Sequence, residues 1–230
     1  TVPQGRLNVS GSVGGNVSAI DGSTLGGEGT IGGNLTLGGT TPATLDINPN
    51  TGSALAVTGN VTLTGANALS FSPPPTTIGL PITVFTYSGT LTGTPGTDLA
   101  LANSSNYRTA TWNNTGSAVT LTLSNKSLSW TGSAGGTWDV GTTASWTDGA
   151  PSTFYWADNV TFPDGAANPA ITMASTLAPA SMTFPANSTA YTLTASGVNQ
   201  LTGNGTLLKS GTALLTLSGG NAFTGGSTLS

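Results

Sequence analysis

The 230-residue chain carries four basic and eight acidic residues, a net charge of −4, and neither His nor Cys. Four scattered cations cannot form the clustered Lys/Arg footprint that phosphate backbones require. Nucleic acid is therefore excluded as a partner, and disulfides, thiolate chemistry and His-based catalysis are excluded with it.

Charged residues make up only 5% of the chain but hydrophobic ones 36%, so the composition reads as a folded β protein with a hydroxyl and amide surface rather than as disorder. No apolar run approaches the length of a membrane-spanning helix. No cationic and apolar leader opens the chain. It begins at Thr1 rather than Met, which reads as a processed chain or a segment of a longer one. Absence of Cys with abundant Ser, Thr, Gly and Asn points to an extracellular or bacterial cell-surface location.

Residues 1–72 carry a beat of apolar doublets at Leu7/Val9, Leu35/Leu37, Leu45/Ile47, Leu55/Val57, Val61/Leu63 and Leu69/Phe71, with Val17, Ile20, Leu25 and Ile31 between the first two. Each doublet predicts a short strand with alternate side chains inward. Gly14-Gly15-Asn16, Gly26-Gly27, Gly32-Gly33-Asn34, Gly38-Gly39 and Gly59-Asn60 are expected to supply positive-φ corners. Such strands fit sandwiches, barrels and β-solenoids. Their shortness and the likeness of one rung to the next favour a solenoid of three-strand coils stacked at roughly 4.8 Å, with Asn and Thr stacked along the corners.

Residues 73–129 read as an irregular β segment. Pro73-Pro74-Pro75 cannot donate to a ladder. Ile82–Tyr87 is a buried strand by its aromatic and β-branched content, and Ala118–Leu123 is a clean alternating one. Residues 130–165 hold Trp130, Trp138, Trp146 and Trp156, the first three at equal spacing, as if marking one position on successive strands. This stretch is either a local β-lobe or a set of widened coils. Residues 166–230 return to solenoid coils.

Two constellations could carry function. The four Trp residues could stack on a glycan or partner protein, or they could form a local core. Asp139, Asp148, Asp158 and Asp164 sit in turns without the spacing of a calcium loop, and Asp158 and Asp164 have no basic residue near them in sequence. No catalytic residue, metal site or cofactor is expected, and the chain is not read as an enzyme.

The C-terminal stretch carries Lys209/Gly211, Leu215/Leu217/Gly219 and Asn221/Phe223/Gly225/Gly226/Thr228. It resembles the autotransporter passenger-associated strand repeat. That family continues with a Gly-x-Leu strand, which Gly5, Leu7 and Val9 supply when the end of the sequence is set before its beginning. The resemblance implies a right-handed parallel β-helix at the bacterial cell surface, acting as a stalk, adhesin or fibre. On this reading the chain's partner is itself. Leu215, Leu217, Asn221, Phe223, Gly225, Gly226 and Leu229 of one unit would meet Leu7 and Val9 of the next. The alternative is an adhesin module that contacts a surface glycan or host protein through the Trp-rich segment.

Overall fold

The computed structural model describes residues 2–3, 5–75 and 78–230; Thr1 lies outside them. Among these the fold is all-β, with no α-helix and one 3-10 turn at Ser104–Asn106. The chain forms two compact units, one of residues 1–74, 79–104 and 109–123, the other of 75–78, 105–108 and 124–230. The segments bounded at 72, 129 and 165 describe the strand pattern along the sequence, and the two units group them by contact. The strands of 82–123 belong with the N-terminal coils, and the Trp-rich stretch belongs with the C-terminal ones.

In the first unit, sheet A stacks β1 (Val2–Pro3), β4 (Val17–Ile20), β7 (Leu35–Leu37), β10 (Val61–Leu63) and β13 (Leu91–Thr92). Sheet B stacks β2 (Arg6–Asn8), β5 (Thr24–Gly26), β8 (Thr44–Ile47), β11 (Asn67–Phe71) and β14 (Leu99–Leu101). Sheet C stacks β3 (Ser12–Val13), β6 (Thr30–Ile31), β9 (Leu55–Val57) and β12 (Ile82–Tyr87), all parallel. It then closes with β16 (Ala118–Leu123) and β15 (Ala110–Asn114), both antiparallel to their neighbours. The chain visits A, B and C in rotation, a topology compatible with a β-solenoid.

Registry sets like on like. Leu25 lies beside Leu45 and Leu45 beside Leu69, while Leu35 lies beside Val61. All five are fully buried or within 1% of it.

The C-to-A corner is the most regular element of this unit. It comprises residues 14–16, 32–34, 58–60 and 88–90, three each time. Asn16 Oδ1 accepts from the Asn34 N–H at 2.8 Å, Asn34 Oδ1 from the Asn60 N–H at 2.8 Å, and Asn60 Oδ1 from the Thr90 N–H at 2.8 Å. This is the expected corner ladder. The expectation for its glycines needs correction, because Gly14, Gly15, Gly32, Gly33 and Gly59 do not have positive φ. For Gly32, Gly33 and Gly59, which stack on a preceding corner, the reason is room, whereas a Cβ on Gly14 or Gly15 would meet nothing within 4 Å. A Cβ on Gly33 would come within 2.4 Å of Asn16 Oδ1, and one on Gly59 within 2.3 Å of Asn34 Oδ1. Gly27 and Gly38 do take the left-handed conformation, at φ 106° and 97°.

In the second unit, sheet D stacks β17 (Ser127–Trp130), β21 (Asn159–Thr161), β23 (Ser181–Phe184), β25 (Thr206–Lys209) and β27 (Ser227–Leu229) in parallel. Two strands, β19 (Trp146–Thr147) and β20 (Pro151–Ser152), extend it antiparallel beyond β17. Sheet E stacks β18 (Thr137–Trp138), β22 (Ala170–Met173), β24 (Tyr191–Ala195) and β26 (Leu215–Ser218). The third side has no strand among the described residues; a parallel bridge between Leu177 and Leu201 joins it, with the Ala222 and Thr224 N–H groups donating to the Leu201 and Gly203 carbonyls at 2.8 and 2.7 Å.

Candidate functional site

The structure places the Trp cluster in the core of the second unit. Trp130, Trp138 and Trp146 are at most 1% exposed, so no ring face remains for a glycan or a partner. They lie on the successive strands β17, β18 and β19, all facing the core, but not in one ladder. Trp130 and Trp146 are directly opposed on antiparallel β17 and β19, whereas Trp138 comes from sheet E. The equal spacing reflects a path out to the other sheet and back.

The rings meet edge to face, with centroids 4.8 Å apart for Trp130–Trp146, 5.2 Å for Trp138–Trp146 and 5.2 Å for Trp138–Phe154, the arrangement that aromatic quadrupoles prefer. Phe162 stacks flat on Phe184 at 4.3 Å. Trp130 Nε1 donates to the Asn168 carbonyl at 2.7 Å, and the half-buried Trp156 donates to that of Thr176 at 3.0 Å. Trp138 Nε1 is buried without a partner.

The four acids do not converge. Asp139 accepts from the Thr143 N–H and hydroxyl, and Asp148 pairs with Lys126. Asp158 is not a solvated turn residue, and it does have a basic partner. It is fully buried and bound by Arg108 through Nε at 2.8 Å and Nη2 at 2.7 Å, and it also accepts the N–H groups of Lys126 and Tyr155. The sequence separation of fifty positions hid this pair.

Asp164 accepts from the backbone of the next coil at Asn187, Ser188 and Thr189. These N–H groups hold its carboxyl well below the usual carboxylate range. Asn187 Oδ1 in turn accepts from the Thr212 N–H at 3.1 Å, which repeats at this corner the side-chain-to-next-coil logic of the Asn16 ladder. Among the described residues no group of three or more acids could hold a metal ion.

The residues expected at a junction fall into two places. Leu215, Leu217, Phe223 and Leu229 line a shallow groove of about 570 Å³ together with Leu207 and Leu214. The groove sits where β26 and β27 are the outer strands of their sheets. Leu229 is 78% and Leu214 70% exposed, whereas Leu215, Leu217 and Phe223 are half-buried. Asn221 Oδ1 is turned inward and accepts the Leu201 N–H at 3.1 Å. Gly225 passes so close to the preceding coil that a Cβ would lie 2.0 Å from the Gly205 carbonyl oxygen, while Gly226 stands in open space. Leu7 and Val9 belong to the first unit. Leu7 is half-buried on the outer strand β2, but Val9 is already packed at 3% exposure, its N–H and carbonyl paired to Gly26 and Gly29.

The fifth tryptophan, Trp112, lies in the first unit on β15. It is half-buried beside a cleft lined by Gly93, Thr94, Pro95, Asn113 and Asn114. Nothing in its sequence neighbourhood set it apart from an ordinary strand aromatic; the clue was its isolation from the other four. No family model matches the chain, and no curated protein or solved structure matches it.

Proposed function

We propose that the chain is a structural repeat unit of an extracellular bacterial fibre or cell-surface stalk. It is read as a right-handed β-solenoid of autotransporter-passenger type that joins end to end with further copies, in covalent tandem or by docking. The observation that carries this reading is the parallel stacking of like on like, Leu25 beside Leu45 and Leu45 beside Leu69, together with the apolar groove lined by Leu214, Leu215, Leu217, Phe223 and Leu229 beside β26 and β27. A naked strand edge with apolar side chains is a template for further pairing. Contact between two different ends is heterologous and builds filaments rather than closed rings. Right-handedness accords with the strong preference of parallel β crossovers.

Sedimentation velocity at rising protein concentration tests the reading. Growing linear species are expected, and micrographs should show threads with an axial repeat on the order of a few tens of ångströms per chain. Leu214→Lys with Leu229→Lys should abolish growth and leave the circular dichroism unchanged. A chain that stays monomeric at every concentration, or whose association survives both charges, would refute joining by docking and leave only the covalent array.

A further inference from the structure

Trp112 is half-buried and lines a cleft. The cleft holds about 300 Å³ and is lined by Gly93, Thr94, Pro95, Trp112, Asn113 and Asn114, none of them charged. Its walls are fixed. The 93–98 loop is held by the Thr94 N–H donating to Asp98 Oδ2 at 2.7 Å and by the Gly96 N–H donating to the Leu99 carbonyl at 2.8 Å. Gly96 takes φ 91°, and a Cβ there would come within 3.0 Å of Trp112 Cδ1, so the missing side chain lets the loop close against the five-membered ring of the indole.

On the other wall, Asn114 Oδ1 accepts from Tyr87 Oη at 2.5 Å and from the Gly116 N–H at 3.0 Å. Its amide N–H groups are left to donate. Asn113 is exposed beside it.

We propose that this cleft binds a neutral pyranose unit of a glycan. One face of a pyranose presents C–H groups, which pack on an indole ring, and its rim presents hydroxyls, which need both donors and acceptors. The Asn113 amide and the Asn114 N–H groups supply these around the ring. The uncharged lining gives no stabilisation to a phosphate, sulfate or uronate. An open cleft of this size accommodates about one or two rings. The inference is independent of end-to-end stacking, because it uses no residue of β26, β27 or the first coil.

The test is the indole N–H spectrum of the ¹⁵N-labelled protein, in which five tryptophans give five signals. The probes are the neutral hexasaccharides of β-linked glucose, mannose and N-acetylglucosamine, with a sulfated hexasaccharide as comparison. Trp112→Phe assigns the signal. At least one neutral probe should shift the Trp112 signal saturably and leave those of Trp130, Trp138 and Trp146 in place. Trp112→Ala should abolish heat of binding in calorimetry. Asn113→Ala, at an exposed position, should weaken binding roughly three- to tenfold, the loss of one hydrogen bond. The proposal fails if no neutral probe moves the Trp112 signal, if all five signals move together, if only the sulfated sugar binds, or if binding survives Trp112→Ala.

Discussion

The two units share short parallel strands and fill their interiors differently. The first has strands on three sides, and its core is mostly Leu, Val and Ile, with Leu25, Leu45 and Leu69 in one row and Phe85 and Tyr87 beside Leu55 and Val57. The second has strands on two sides and, on the third, a bridge with a few further backbone bonds, and its core adds Trp, Phe, Tyr and Met to Leu, Val and Ile. Where three ladders saturate the backbone, a narrow interior suffices and aliphatic side chains fill it. Where the third ladder is lacking, large rings supply the contact area instead, and specificity passes to individual side-chain contacts such as Arg108 with Asp158. A lesion in the second unit should therefore strike single residues hard, whereas in the first it should act through the corners.

The largest effect is expected for Arg108→Ala. It strands the fully buried Asp158 carboxylate without a counter-charge, a situation that costs about 3–5 kcal/mol. Urea unfolding followed by tryptophan emission reads the second unit almost selectively, because four of the five tryptophans lie there. A loss under about 1 kcal/mol would mean that Asp158 is satisfied by its backbone donors alone.

Next comes a pair of substitutions in the first unit. Gly59→Ala drives a Cβ to 2.3 Å from Asn34 Oδ1 and 2.7 Å from the Gly33 carbonyl oxygen, and overpacking of this kind costs about 1–3 kcal/mol. Gly15→Ala sits at the same corner position of the first coil and meets nothing within 4 Å, so its own fold should change by less than about 0.5 kcal/mol. Thermal melts of the two variants check the contrast. Equal effects would show that the corner glycines are retained for some reason other than room.

The smallest effect is one of pH. Because its backbone donors depress the native pKa of Asp164, the group contributes stability in full above its unfolded value of about 4. That contribution is withdrawn as pH falls through the lower native value. Asp164→Asn keeps an acceptor oxygen and cannot titrate. The difference in Tm between the two proteins should be greatest near neutrality and close on acidification. A difference that is constant with pH would show that the carboxylate charge contributes nothing.

Much of the first unit was legible because its signal is local. Doublets such as Leu35/Leu37 and Val61/Leu63 are whole strands, and Ile82–Tyr87 and Ala118–Leu123 coincide with β12 and β16. Strand direction was not legible. Nothing within Ala118–Leu123 distinguishes an antiparallel closing strand from another parallel rung, since pairing is decided by the length and path of the chain before it.

The Trp spacing was ambiguous for a related reason. Equal intervals arise from stacked repeats and equally from a strand, a crossing and a return, and only the three-dimensional path separates them. Asp158 could not be read as buried, because its partner Arg108 is remote in sequence. The Gly-Asn corners were placed correctly on a mistaken rationale, steric clearance being a property of the neighbouring coil and not of the glycine itself.

The three-residue corner has a bearing on what the first unit tolerates. While 14–16, 32–34, 58–60 and 88–90 keep one length, the connections from sheet B to sheet C lengthen through 27–29, 48–54 and 72–81. One edge of the coil thus keeps a fixed length along which amide hands to amide, and another varies in length. Segments grafted between Ile47 and Leu55 would be carried outboard without disturbing the phase of the stack. The coil can then take on new surface at one corner because the opposite one never changes step.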